Sequence, residues 1–306
     1  MASADIFTSY GDASRKEDVM GLIEYLTAKE SSIFNMLPKS SATDTIHSTL
    51  TDTHRTAATG AVAEDTDYTN IARTSPSRDT NLIENIAIPF QVTRTQMLVD
   101  HYQGENEMAR QTAKALVDWH NAAEFDIVRA TLVTGASGTA PKFRGILQGI
   151  SHANTYTAMA SGTVWSASIL KGFQAECWNQ SNGDVATDLF LGKVLKDKTD
   201  DFTNKSTNVV TGTNVKEVVL AVDVFETGFG KLRVHAHRYI YQSGDTTHKV
   251  LAINPDKLGL AFLERPRIDT GLARSGDYEA RAVVGKLTVE FKNRFSNYHS
   301  IGYLLT

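Results

Sequence analysis

Large apolar residues are spread unevenly along this chain, and the gaps say as much as the runs. Between Ser40 and Thr80 the sequence SSATDTIHSTLTDTHRTAATGAVAEDTDYTNIARTSPSRDT is rich in Thr, Asp and small residues and nearly empty of large apolar ones. A segment this long without a core of its own is uncommon in a compact domain unless it contacts something else. Its flanks alternate. Thr45, His47, Thr49 and Thr51 interleave with Ile46, Ser48, Leu50 and Asp52, while Leu82, Ile86, Ile88, Phe90 and Val92 fall on even positions. That is the period of strands with one packed face. The pattern predicts a two-stranded arm leaving a globular body, and because such ribbons are barely stable alone, the arm is expected to rest on a neighbouring molecule.

Helical periods flank this arm. Val19, Leu22, Ile23 and Leu26 share one stripe, and Pro38 ends regular structure after a second apolar group, Ile33, Phe34, Met36 and Leu37. That group packs either on its own body or on another subunit; composition leaves both open. From Glu105 to about Val133 a much longer helix is predicted, roughly 40 Å at 1.5 Å per residue. Its seam reads Ala109, Ala113, Leu116, His120, Ala123, Ile127 and Ala130, with Glu107, Arg110, Lys114, Asp118 and Glu124 outside. The small seam residues call for close packing. The helix should stop before Thr134-Gly135-Ala136-Ser137-Gly138.

From Gly145 to about Pro266 the pattern turns mixed. Ser166 to Trp178 reads as a helix, Asp188 to Leu195 as a buried strand entering a helix, and Asp200 to Asn214 as a polar loop. Val218 to Val222, Leu232 to His237 and Lys249 to Ile253 are candidate strands, with turns at Phe229-Gly230 and Asn254-Pro255-Asp256. Tyr278 to Thr306 is strand-like throughout, with Val283, Leu287, Val289 and Phe291 alternating and a turn at Ser296-Asn297. No internal repeat is present.

Composition narrows the chemistry. A chain of 306 residues buries one large core or two modest ones. Its single cysteine, Cys177, excludes an intrachain disulfide and suits folding in a reducing compartment, with a buried apolar thiol as the reading for Cys177 itself. MASADIFTSYGDASRKED has no apolar run after basic residues, and no stretch approaches the roughly twenty apolar residues of a membrane span, so neither standard secretion nor a membrane is expected. A net charge of -4 argues against sequence-reading nucleic-acid recognition and leaves only nonspecific contact through a local basic face.

Candidate catalytic groups are sparse. His235 and His237 lie two apart on a predicted strand and share a face, the spacing of two metal ligands, but a third ligand is missing nearby; His248 lies beyond a turn. Glu264 and Asp269 are separated by Arg265 and Arg267, which points to ion pairing at an edge. No phosphate-cradling loop, GxSxG or HExxH occurs, so the chain does not read as an enzyme and no cofactor is expected.

The order arm, polar hairpin, long helix, α/β region and terminal strands resembles the major capsid proteins of tailed bacteriophages with the HK97 fold. The run KVLAINPDKLGLAFLERPRIDTGLARSGDYEARAVVGKLTVEFKNRFSNYHSIGYLL, Lys249 to Leu305, is similar to the C-terminal part of the SU10-like branch. There a strand and an Asn/Asp-Pro turn precede a segment matched here by Leu272-Ala273, Gly276-Asp277, Arg281, Leu287 to Glu290 and Asn293. VFETGFGKLRVHAHRYI, Val224 to Ile240, resembles that family's turn and outward strand. The resemblance implies an α+β fold with an N-terminal arm (residues 1–40), an extended E-loop (41–94), a P-domain holding the spine helix (95–144) and terminal strands (265–306), and an A-domain (145–264). It implies self-assembly into pentamers and hexamers of an icosahedral virion shell around double-stranded DNA, built in the bacterial cytoplasm with portal, scaffolding and decoration proteins as further partners. On this reading Asp44, Asp52, Arg55, Glu64, Asp65, Asp67, Arg73 and Arg78 make the E-loop contacts between subunits, and Ala109, Ala113, Leu116, Ala123, Ile127 and Ala130 pack the spine. There is no lysine from Ser40 through Ala113, so the E-loop amine of the founding member's isopeptide crosslink is missing and an uncrosslinked shell is expected. Two alternatives remain: an encapsulin-type nanocompartment shell, and a metalloenzyme using His235 and His237.

Overall fold

Alternating and continuous apolar runs resolve into two sheets and a spine helix in a computed structural model, which describes residues 32–54, 58–62, 64–65, 75–99, 106–151, 164–181, 183–204, 224–241, 248–273 and 276–303. Helix α1 (Ser32–Met36) leads into β1 (Lys39–Ser41), β2 (Ile46–Thr51), β3 (Ser77–Leu82) and β4 (Glu84–Thr93). Helices α2 (Arg94–Leu98), α3 (Glu107–Arg129), α4 (Ile146–Ser151) and α5 (Ala167–Gln180) follow, then β5 (Asp188–Leu191), α6 (Lys193–Asn204), β6 (Val224–Thr227), β7 (Gly230–Ala236) and β8 (His248–Ile253). Strands β9 (Leu258–Asp269), β10 (Tyr278–Phe291) and β11 (Tyr298–Tyr303) complete the order. The helical stripe expected at Val19 to Leu26 and the strand expected at Val218 to Val222 lie outside the described residues.

The first sheet has the order β1-β9-β10-β4. Even positions Glu84, Ile86 and Val92 of β4 are buried while the odd ones face out, as alternation requires. The strand belongs to the body, however, pairing with β10 from Thr93 opposite Tyr278 to Glu84 opposite Leu287. Among the described residues of the expected 41–94 segment, β2 and β3 form the two-stranded ribbon while β4 pairs in the body sheet. Alternation marks a packed face and says nothing about the partner.

The second sheet has the order β11-β8-β5-β7-β6. Phe190, Leu251 and Ile253 of its central strands enter one core with α1, α3 and the first sheet, while Leu189, Leu191, Val250 and Ala252 enter another under α5 and α6. Burial on both faces explains why β5 and β8 read as continuous apolar runs. Two segment boundaries shift. Residues 264 and 265 fall inside β9, and β11 pairs with β8 of the second sheet, not with its predecessor β10. The loop expected from Asp200 begins inside α6, where Lys196 and Asp200 form an ion pair at 2.9 Å one turn apart. The abundance of charge there masks the helical spacing of Leu195 and Phe202.

The phase of the spine helix also differs from expectation. Asn106 caps α3 by accepting from the Met108 amide at 2.9 Å, and the helix ends at Arg129, short of Val133. Its buried stripe is Met108, Ala115, Trp119, Ala123, Glu124, Ile127 and Val128. Ala123, Ile127 and Ala130 are buried, whereas Ala109 and Ala113 are exposed and Leu116 is 40% exposed. Trp119 decides the phase. Its indole N–H donates to the Ile86 carbonyl at 3.0 Å, and its ring lies so close to β10 that a Cβ on Gly285 would fall 2.6 Å from Cζ2. The small residue is therefore on the sheet, at a break in the β9–β10 register between Val284 and Lys286.

Overpacking such a contact costs about 1–3 kcal/mol. Ala123→Leu and Gly285→Ala are expected to lower the melting temperature by several degrees, while Ala113→Leu and Lys114→Ala leave it within a degree or so. Equal tolerance on the two faces, read by calorimetry, contradicts the assigned phase.

Candidate functional site

The ribbon of β2 and β3 is amphipathic in the opposite sense to an ordinary surface hairpin. Its register runs from Ile46 opposite Leu82 to Thr51 opposite Ser77, so even positions share one face and odd positions the other. The polar odd face, with His47, Thr49, Asp79 and Asn81, turns toward the body. The even face turns away and carries Ile46, 53% exposed, and Leu50, 69% exposed, beside Ser48, Arg78 and Thr80. Exposed apolar residues at the tip side include Val62.

The polar face is held by a dense set of contacts. Asn81 Nδ2 donates to the carbonyls of Val289 at 2.9 Å and Arg144 at 3.1 Å, and its Oδ1 accepts from the Arg144 amide at 2.7 Å. Asp79 bridges two guanidinium groups: Oδ1 lies 2.7 Å from Arg144 and Oδ2 contacts Arg294. Both cations lie over the Phe291 ring, at 5.4 and 5.2 Å from its centroid. Burial and the charge of Arg144 lower the Arg294 pKa below its usual value, and Asp79 opposes them. Thr49 Oγ1 donates to the Phe291 carbonyl at 3.1 Å. Glu290 receives His47 Nε2 at 2.7 Å and Ser40 Oγ at 2.6 Å on the same oxygen. The ribbon is thus oriented from its root by its own subunit.

A second polar site fixes the segment ahead of the ribbon. Ile33, Phe34 and Leu37 are buried in the chain's own core, which answers the open question of what covers them. Glu124, expected on the outer face of the spine, is instead fully buried and holds α1: its two oxygens accept the amides of Ile33 at 2.8 Å and Phe34 at 2.7 Å. His237 Nε2 stands 2.9 Å from Glu124 Oε1, while its Nδ1 accepts the Tyr239 amide at 3.3 Å, which places the proton on Nε2. A helical period assigns faces by polarity, so a carboxylate buried to bind backbone amides is misread.

The other sequence candidates scatter. Asp44 accepts from Thr45 N at 2.6 Å and Asp52 from Thr53 N at 2.8 Å, both local turns. Glu64 and Asp65 stand in an exposed turn and Arg78 on the outward ribbon face. Arg55, Asp67 and Arg73 lie outside the described residues. His235 and His237 do not converge on a metal: His235 Nε2 meets Asp188 at 2.9 Å and His237 meets Glu124, with Phe190 packed against both rings. Among the described residues no three His, Cys, Asp or Glu side chains are grouped to hold a metal ion. Two hydrogen bonds to Arg233 and Thr187 help hold the Asp188 carboxyl below its usual range against the opposing effect of burial. Glu264 pairs with Arg267 and, at 3.1 Å, with Lys286. Burial pushes the Cys177 thiol up to about 12, leaving it protonated. The residues that seat the ribbon, Asp79, Asn81, Arg144, Glu290 and Arg294, were invisible to spacing; the polar odd positions of β3 were the one signal for two of them.

The sequence model of the SU10 major capsid protein family matches residues 4–301. Among solved structures, the capsid of a native GTA particle superimposes with a TM-score of 0.68 at 9% identity, covering 97% of this chain and 98% of that one. The capsid of Myoviridae phage XM1 gives 0.63 at 13% identity over 98% and 100% of the two chains. An encapsulin, the holo-SrpI complex from Synechococcus elongatus, gives 0.59 at 8% identity over 94% and 92%. At these identities the likeness shows the fold, that of HK97-like shells. No curated protein matches the chain.

Proposed function

We propose how a chain that belongs to the SU10 major capsid protein family, and is therefore a shell-forming virion component, joins its neighbours. The ribbon is the bridging element, and the observation that carries this reading is its reversed amphipathicity. A hairpin that turns Ile46 and Leu50 to solvent while spending His47, Thr49, Asp79 and Asn81 on its own body is built to be covered from outside. Its own subunit sets the angle, and the neighbouring subunit supplies the apolar cover. Arg78 beside Leu50, with Glu64 and Asp65 farther out, adds charges of both signs that fix register more than affinity, since exposed pairs contribute about 0–1 kcal/mol each.

Repeated around closed rings, this contact gives pentamers and hexamers of an icosahedral shell. In this reading the N-terminal arm ends near residue 40, β1, β4, β9 and β10 with α3 form the P-domain, and the second sheet with α5 and α6 forms the A-domain. The enclosed cargo is double-stranded DNA held without sequence preference, assembly takes place in the bacterial cytoplasm with portal and scaffolding proteins, and the subunit does no catalysis. Without a lysine between Ser40 and Ala113 the ribbon supplies no amine for an isopeptide link, so the shell is held noncovalently there.

The test shortens the ribbon and spares its seat. Residues 53–75 are replaced by a two-residue Asn-Gly turn, which suits a tight hairpin and keeps β2, β3 and the Asp79 and Asn81 contacts. The expected product is a folded subunit with a near-native melting temperature that forms no closed particles by electron microscopy. Particles of normal size from this variant and from an Ile46→Ser, Leu50→Ser double variant, which removes the exposed apolar face itself, refute the bridging role of the ribbon. Nucleic acid in wild-type particles supports the phage reading over a nanocompartment.

A further inference from the structure

The seam read from the sequence runs along one side of α3 from Ala109 to Ile127, and the structure covers it over only part of its length. From His120 onward α1 lies on it. The Phe34 ring stands edge-on to His120 at 5.3 Å, the amides of Ile33 and Phe34 are held by Glu124, and Ile127 is fully buried in the same core as Ile33. Ahead of His120 the face is open among the described residues. Leu116 is 40% exposed, and Ala113 and Ala109, one and two turns farther on, are exposed as well. A helix with polar residues on its far side thus carries one apolar face of which half is covered and half is not.

The chain brings a matching surface to this place. Residues 1–31 lie outside the described residues, and they enter α1 where Glu124 holds the amides of Ile33 and Phe34, about 12 Å along the helix axis from Leu116. In their sequence Val19, Leu22, Ile23 and Leu26 make an apolar stripe of helical spacing, and it spans seven residues, as Ala109 to Leu116 does. The tether fits too. Leu26 precedes Ile33 by seven residues, which reach up to about 25 Å when extended, while Ala109 stands about 22 Å along the axis from Glu124. A link this short keeps the stripe at an effective concentration of about millimolar beside the open face, well above that of a second copy in dilute solution. The subunit's own segment is therefore the favoured occupant.

We propose that residues 19–26 fold back as a helix on the open half of their own α3, so that this segment and α1 together cover the seam from end to end. The N-terminal segment is then engaged within its own subunit, with Glu124 marking the point where it turns into α1. Contacts between subunits fall to other surfaces. The inference does not rest on the role of the ribbon.

Accessibility tests it directly, because the body's core does not include this contact and melting would not report it. Full-length, unassembled subunits carrying Ala113→Cys are treated with a maleimide, to which the native Cys177 is closed by burial. The introduced thiol is expected to react about ten-fold or more slowly than in the same protein with Leu22→Asp and Leu26→Asp added, at a rate that does not change on dilution. Equal rates in the two proteins show an open face and overturn the proposal. Slow labelling that speeds up on dilution shows cover by a second copy, its ribbon or its N-terminal segment, and overturns it as well. Should the Asp pair fail to fold, Leu22→Ser with Leu26→Ser takes its place, with the same two readings.

Discussion

Asp79→Ala is expected to cut the yield of closed particles at least ten-fold while leaving the subunit body folded. Among the described residues the Asp79 carboxylate is seen to pair with both Arg144 and Arg294, which otherwise confront each other over the Phe291 ring. All three side chains are partly shielded, so removing the shared anion costs about 2–3 kcal/mol, below the 3–5 kcal/mol of a fully buried pair. Most of that cost falls on the ribbon, because β9 and β10 keep their own ladder. Asn81 still pins the root, so the ribbon should remain attached but lose its angle. Glu226→Ala, which removes an exposed ion pair with Lys231 away from the ribbon, serves as the control and is expected to assemble normally. Particle yield from gradient sedimentation, set beside melting temperatures of both variants, checks the claim; normal assembly of Asp79→Ala shows that the seat does not orient the ribbon.

Glu124→Ala should be the most destabilising single change named here, at about 3–5 kcal/mol. It strands the amides of Ile33 and Phe34 and the Nε2–H of His237 in a site where Glu124 itself is fully buried. Glu124→Gln preserves the shape but can accept on one oxygen only, so an intermediate loss is expected. Denaturant unfolding of the three proteins gives the ranking, and Glu124→Ala within 1 kcal/mol of wild type would mean that α1 is held by its apolar contacts alone.

Much of the architecture was legible because burial leaves a period. The even positions of β4, the continuous runs of β5 and β8, and the helices α3 and α5 all announce themselves by spacing. What the period cannot carry is the partner. β4 reads as part of the arm because Ile86 and Val92 say that something covers them and not that β10 does. An alanine seam reads more plainly than Trp119 because the compensating glycine, Gly285, lies far away in sequence. Glu124 and the group around Asp79 were missed for a related reason: polar residues reveal burial only through distant donors, Ile33 in one case and Arg144 in the other. The candidate site was therefore located as a segment, while its working contacts were not.

The order of the first sheet also governs when the subunit can exist at all. Among the described residues β1 has β9, and β4 has β10, as its neighbour in it, and these two strands are made more than a hundred residues later. During synthesis the early strands wait unpaired, and the ribbon root has neither Val289 nor Arg294 to sit on until the ribosome has passed them. On the role proposed for the ribbon, shell growth has to wait for subunits in which Val289 and Arg294 are already in place to set its angle.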